Sequence, residues 1–295
     1  RLASWAERGF KTKSGVKTFY ADPDDIDKQD SVATMIFNAW FSRVVRGTWD
    51  DEKLPGVFQP GGNEGKLRGL RHMLDSRGDN NAKLAAYNPV TKESAFFDVL
   101  GTDEVETSYE VIIKAAVDAL TFLRSTPDAM AEPATGGFAT SDMSKWLWGM
   151  RHQARFESLL GDFLPSDSEY APLVDKFAIT TGILPLDDDI PANDPRRALK
   201  WFPRDGDQYS VDAANPGLGG TSFTHGSGPV MRMVVALKGD QVTGVNIVPG
   251  GQSAITTSPH FADQAKLWLG NKTIPMRFSV GDVIAGAIAH EEYTP

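Results

Sequence analysis

The 295-residue chain contains no cysteine. That excludes a disulfide framework, a thiol nucleophile and a cysteine-ligated zinc, while leaving the compartment open, since exported proteins also do without cysteine. Long apolar runs are missing as well. The longest, such as Val230–Leu237 with its Arg232, is strand-sized and far short of the ~18 residues that span a bilayer. Basic charge is in deficit: 30 Lys and Arg stand against 39 Asp and Glu, a formal net charge of −9 at pH 7. This excludes broad attraction to nucleic acid or to an anionic membrane, which rests on clustered cations. The opening residues Arg1–Arg8 have no apolar stretch of the kind a signal peptide needs. Position 1 is not Met, so the expected origin of this terminus is cleavage or shortening of a longer chain.

Local catalytic signatures are equally scarce. His72, His152, His225, His260 and His290 form neither a His-x3-His pair nor a His-Glu-x-x-His segment, so no local metal site is expected. Acidic clusters at 22–27, 75–81 and 187–189 lack the alternating oxygen ligands and closing Glu of a calcium loop and read as solvated faces. No Gly-x-Ser-x-Gly elbow occurs, and no Gly-rich phosphate cradle follows a strand into a helix. Ser14-Gly15-Val16-Lys17 matches Ser-x-x-Lys, a pattern short enough to arise by chance, and no Lys-Thr-Gly follows it.

What is present is an ordinary globular composition, 41% hydrophobic and 23% charged, sufficient for a sizeable core. Apolar residues at every third or fourth position predict a helix over 31–46, with Asp30 or Ser31 as N-cap and Gly47 as the stop. A second helix is predicted over 108–123, with a capping box between Thr107 and Glu110 and Pro127 beyond its end. Between them only Leu67–Leu74 reads as helical. In the last third, Met231–Leu237 and Val242–Val248 flank Lys238-Gly239-Asp240-Gln241 and predict a β-hairpin, with a short strand at Tyr209–Ala213 upstream. The expected architecture is α+β, with a mainly helical segment over 1–165 and a β-rich one over 166–295. Trp146, Trp148, Phe156 and Trp201 are candidates for an apolar acyl pocket or for plain core.

Residues 204–278 carry several short blocks in a fixed order: Asp205-Gly206-Asp207-Gln208-Tyr209-Ser210, Gly228-Pro229-Val230-Met231-Arg232, Val248-Pro249-Gly250-Gly251-Gln252-Ser253, Ser258-Pro259-His260-Phe261-Ala262-Asp263-Gln264, Leu267-Trp268-Leu269-Gly270 and Pro275-Met276-Arg277-Phe278. Together they resemble the closing segment of the penicillin amidase family. Trp148-Gly149-Met150-Arg151-His152 resembles that family's Trp-Gly-x-x-His segment, and Leu2–Trp40 resembles its helical stretch. Ala254 and Ala236 depart from the family's usual residues.

The resemblance implies the C-terminal part of an αββα sandwich of N-terminal-nucleophile hydrolases. There a Ser at the start of the β subunit is the nucleophile, and its own α-amino group is the base. Residue 1 here is Arg1, so the expectation is that no catalytic residue lies in this chain and that the nucleophile comes from another segment of the same precursor. The expected partners are an α subunit and the N-terminal part of the β subunit. The substrate would be a small N-acylated amide such as a β-lactam or an acyl-homoserine lactone. The resemblance also implies a periplasmic or secreted location. It allows calcium in the full assembly, with no cofactor held by this chain. Trp146, Trp148 and Phe156 are the expected pocket residues. His152, Arg232, Gly250, Gly251, Gln252, Ser253, His260, Asp263 and Gln264 are expected to be structural. Gly250 and Gly251 would adopt backbone angles closed to other residues, and Gln252, His260 and Asp263 would make buried hydrogen bonds. The other class of function left open is a non-catalytic binding or assembly module.

Overall fold

The computed structural model describes residues 1–51, 61–78, 84, 86–128, 135–158, 160, 163–164, 169–180, 193, 201–207, 218, 220–226 and 231–287. Helix and strand are mixed, as expected of an α+β chain. Contacts group the residues into two compact units, the first made of 1–17, 23–154 and 203–228 and the second of 18–22, 155–202 and 229–295. The two units interleave along the sequence.

The first unit is built on helices α1 (Leu2–Glu7), α2 (Asp25–Trp49), α3 (Gly62–Asp75) and α4 (Ser108–Arg124). Helix α2 begins six residues earlier than its apolar spacing predicts, because the Asp24 carboxylate accepts the Asp27 N–H at 2.8 Å and caps it. Asp25 and Asp27 in the first turn complement the helix dipole. Gly47 does not stop the helix. It lies inside the last turn, where a Cβ would meet Val111 Cγ1 of α4 at 3.2 Å, and the chain stays helical through the buried Trp49. Helix α3 is likewise longer than Leu67–Leu74. Its Gly69 lies so close to the Trp49 ring that a Cβ would come within 2.9 Å. Helix α4 has the predicted capping box, Thr107 accepting from Glu110 N–H while the Glu110 carboxylate accepts from Thr107 N–H at 2.8 Å.

Helices α2 and α4 pack along their length, and the Trp40 indole N–H donates to Ile112 O at 2.9 Å. One apolar cluster gathers Val44, Val45, Trp49, Leu70, Met73, Phe97 and Val111. A second gathers Met35, Ala39, Ala119, Leu123, Trp146, Trp148 and Phe223. Arg8 and Asp30 form an ion pair in which the carboxylate is almost fully buried. No described helix is long and apolar enough to cross a membrane.

The second unit contains an antiparallel hairpin of strands Arg232–Lys238 and Gln241–Ile247 in register Lys238↔Gln241 to Arg232↔Ile247. Its turn is the two-residue Gly239-Asp240, tighter than the four residues predicted. Gly239 takes φ +61° and Asp240 does not turn positive, as a type II′ turn requires. Strand Ile274–Pro275 pairs with Val245 and Asn246 on the far side of the second strand, so that among the described strands Arg232–Lys238 lies at the edge of the sheet. Helices α5 (Ala171–Lys176), α6 (Asp263–Leu269) and α7 (Val280–Ala285) also belong to this unit. The predicted strand at Tyr209–Ala213 lies outside the described residues.

Candidate functional site

In the first unit the Trp148–His152 segment is locked by backbone and hydroxyl contacts. Trp148 N–H donates to Ser31 Oγ at 2.8 Å, Ser31 O–H donates to Ser14 O at 2.7 Å, and Gly149 N–H donates to the same carbonyl at 2.9 Å. The Trp148 indole N–H donates to Gly206 O at 2.7 Å. Gly149 is required by proximity, since a Cβ there would sit 2.8 Å from Ser14 Cβ. Trp146 and Trp148 are both 0% exposed, and Trp146 donates its indole N–H to Thr140 O at 3.0 Å. Both indoles are therefore core with satisfied N–H groups. Phe156 belongs to the second unit and packs on Phe202 and Trp268 with ring centroids 5.4 and 5.6 Å apart.

His152 is fully buried and stacks on Trp148. Its Nδ1 lies 2.8 Å from Phe223 O. A carbonyl only accepts, so Nδ1 carries the proton and Nε2 is the bare nitrogen. Nε2 is buried without a hydrogen-bond partner. Burial pushes the imidazole pKa down to about 3, the Phe223 bond opposing and the His225 and Arg204 charges assisting. Such a ring is neutral across the physiological range and is bonded to the Phe223 carbonyl. Beside it, the buried Arg151 donates to Gly136 O at 3.2 Å and Gly137 O at 2.5 Å, with its guanidinium 4.1 Å above the Phe138 ring. Desolvation lowers its pKa to about 10.

Ser14 and Lys17 do not converge on a site: Ser14 is buried and accepts Val16 N–H at 3.3 Å, while Lys17 is exposed. Among the described residues no group of three or more His, Cys, Asp or Glu could hold a metal ion.

In the second unit the motif residues cluster at one turn. Ser253 N–H donates to His260 O at 3.1 Å, and Ser253 Oγ accepts Ile255 N–H at 3.1 Å. Gln264 Oε1 accepts Val248 N–H at 3.3 Å. Two expectations are corrected here. Gly251 is needed for space rather than for a left-handed backbone: it lacks a positive φ, and a Cβ would lie 2.0 Å from His260 O. Gly250 needs neither, its nearest neighbour being Ile179 Cδ1 at 3.8 Å. Gln252, His260 and Asp263 are exposed, so the 2.9 Å His260 Nδ1···Asp263 Oδ2 contact is a surface pair, not a buried bond. It spans three residues at the start of α6, which places both side chains on the solvent side of the turn. Arg232 lies 4.9 Å over the Trp268 ring and donates to Asn271 Oδ1 at 2.6 Å and to Trp268 O, tying the hairpin to α6.

The cavity in the first unit went unnoticed in the sequence. It measures about 390 Å³ and is lined by residues of α2 and α4 together with Asp50, Asp51 and Val99. Its charged residues repeat at helical spacing, and on the sequence alone that pattern reads as a solvated face.

No curated protein sequence matches the chain. The family model for penicillin amidase matches residues 17–285. That stretch covers the Trp148–His152 segment, the hairpin and the Gly251 turn, and the chain belongs to the penicillin amidase family of amide hydrolases.

Proposed function

We propose that this chain is the closing segment of an N-acyl amide hydrolase of the αββα type and works only when joined to the segment that carries an N-terminal Ser. The observation that carries the proposal is the hairpin. Successive residues of a strand point to opposite faces, yet Val234 and Val235 are 66% and 41% exposed, and Met233 and Leu237 are 51% and 76% exposed. Both faces of the hairpin's first strand are therefore exposed, although Ile247 at the end of the second strand is buried, and among the described strands the first one ends the sheet. Exposed apolar strands at an edge are what a protein ordinarily covers. A sandwich in which further strands and a second sheet come from the rest of the precursor would cover them.

In the joined assembly the Ser hydroxyl attacks the amide carbonyl while its own α-amino group takes the proton, directly or through a water. The amine leaves with that proton, and water then hydrolyses the acyl ester. This chain's residues shape and brace the fold: His152 and Arg151 hold loops of the helical unit, and Gly251, Ser253 and Gln264 fix the turn before α6. The substrate class is a small N-acylated compound such as a β-lactam or an acyl-homoserine lactone, met in the periplasm or medium. Native mass measurement on protein from its natural source tests this. The reading expects a particle heavier than 32.1 kDa containing a chain that starts with Ser; a lone 32.1 kDa species contradicts it.

A further inference from the structure

Helix α4 carries two apolar rows. Val111, Ala115, Ala119 and Leu123 are buried in the first unit. Beside them Tyr109, Ile113 and Val117 follow one another at every fourth residue and are 68%, 48% and 58% exposed. Ala116 and Leu120 lie half-buried along the same stripe. A surface helix ordinarily turns polar residues to water, and one that stays apolar beyond its core face calls for a second neighbour. The polar residues bordering the row are engaged within the helix, Lys114 pairing with Asp118 at 2.8 Å and Glu110 closing the N-terminal cap. The two ends of the row differ in charge. Glu106 stands just before the N-cap Thr107, its carboxylate accepting Val99 N–H at 2.9 Å, and the exposed Arg124 is the last helical residue. Neither is in an ion pair among the described residues.

We propose that this row is the contact of a two-fold dimer, in which α4 of a second copy of the chain lies antiparallel upon it. In a two-fold interface residue i meets j wherever j meets i, so a helix row serves only if it reads the same from either end. This one does. About a midpoint at Ala115, Ile113 is matched by Val117, Tyr109 by Leu120 and Thr121, and Glu106 by Arg124. Reversal lays apolar on apolar along the middle and brings each Arg124 to the acidic end of the other copy, where Glu104 and Glu106 stand. A parallel arrangement would set Arg124 against Arg124 and Glu106 against Glu106. Antiparallel packing also sets the positive end of each helix dipole beside the negative end of the other. Matching to its own reverse is what selects a second copy over an unrelated segment of the precursor. The 17 residues of α4 give a contact about 26 Å long. One helix pair of that length buries less than the ~800 Å² per partner of a standard interface, so the dimer is weak and forms at micromolar concentration or above. The inference goes beyond the amidase reading and does not rest on it.

Because the chain has no cysteine, cross-linking reads the register directly. Full-length Ile113→Cys and Val117→Cys chains are mixed in equal amounts and oxidised at a concentration where sedimentation velocity shows dimer. The mixed disulfide between positions 113 and 117 is expected to dominate, against the equal yield of mixed and like disulfides that random encounter gives. Sedimentation of chains carrying Leu237→Asp, which removes association through the hairpin, supplies the second readout. Arg124→Glu and Glu106→Arg should each weaken the dimer by about tenfold, because two exposed ion pairs become repulsive, and an equal mixture of the two variants should regain the original association. The disulfide result stands whether or not Glu106→Arg folds, since Ile113 and Val117 are surface side chains. A chain that stays monomeric at sub-millimolar concentration, disulfides in random proportion, or loss of the mixed disulfide when the remaining precursor segments are added overturns the proposal.

Discussion

The Trp148 indole lies nearly parallel to the His152 imidazole, the planes 17° apart and the ring centroids separated by 4.6 Å. The stack, together with the Phe223 carbonyl on Nδ1, fixes a neutral histidine in a place that water does not reach. Protonating it means charging a nitrogen with no partner.

That arrangement has a pH signature. The unfolded-state pKa of His is about 6.5, and the folded value is about 3. Above pH 6.5 neither state is protonated and the contribution to stability is full. As the pH falls below 6.5 the unfolded chain takes up a proton that the native one refuses, so stability drops by about 1.4 kcal/mol per pH unit until the folded pKa is reached. At pH 5 the loss is on the order of 2 kcal/mol. Urea unfolding of wild type and His152→Gln at pH 7 and pH 5 should show the wild-type advantage shrinking by about that amount. An advantage independent of pH contradicts the assignment.

Gly250 and Gly251 separate two demands that look identical in the sequence. Gly251→Ala drives a Cβ into the His260 carbonyl and is expected to cost about 1–3 kcal/mol by overpacking. Gly250→Ala meets only ordinary contact distance and should change stability by less than about 0.5 kcal/mol. Chemical unfolding followed on a probe in the second unit checks both, and equal effects would be a contradiction.

Arg8→Ala leaves the Asp30 carboxylate, 1% exposed on its side chain, without its cation. Removing one partner of a buried pair costs about 3–5 kcal/mol, and the partial exposure of Arg8 puts this case near the lower end. Thermal unfolding should show a clear loss of stability, whereas a change under about 1 kcal/mol would mean the carboxylate is satisfied in some other way.

These cases also show what the chain made legible. The Thr107–Glu110 capping box is local chemistry over four residues, and it was readable as written. The first turn of α2 was not, because Asp25–Gln29 carries no apolar period and is helical on the strength of the Asp24 cap. Gly47 read as a stop because its packing partner, Val111, lies 64 residues away on α4. The family blocks were legible as a pattern, but the roles inside them depend on distant neighbours: Ser31 and Gly206 enclose Trp148, and His260 crowds Gly251. Gln252, His260 and Asp263 were expected inside and lie outside. The cavity lined by α2 and α4 was hidden because its charged residues have the spacing of any exposed helix.

Leu237→Asp examines the bare hairpin. The side chain is 76% exposed, so the unfolding free energy of the chain should shift by no more than about 0.5 kcal/mol. Self-association of the chain at high concentration should fall, because a charge on an apolar edge opposes strand pairing. Sedimentation velocity of both proteins provides the comparison. A folded variant that self-associates as strongly as wild type would show that this face is not sticky.

The most direct test of the central claim is reconstitution. The 295-residue chain is assayed for hydrolysis of an N-acyl amide chromogen, alone and after refolding with the remaining segments of its precursor, one of which begins with Ser. The account predicts no turnover from the chain alone and measurable turnover from the mixture, lost again when that Ser is replaced by Ala. Sustained turnover by the chain alone, or a mixture indifferent to the Ser→Ala change, would contradict it.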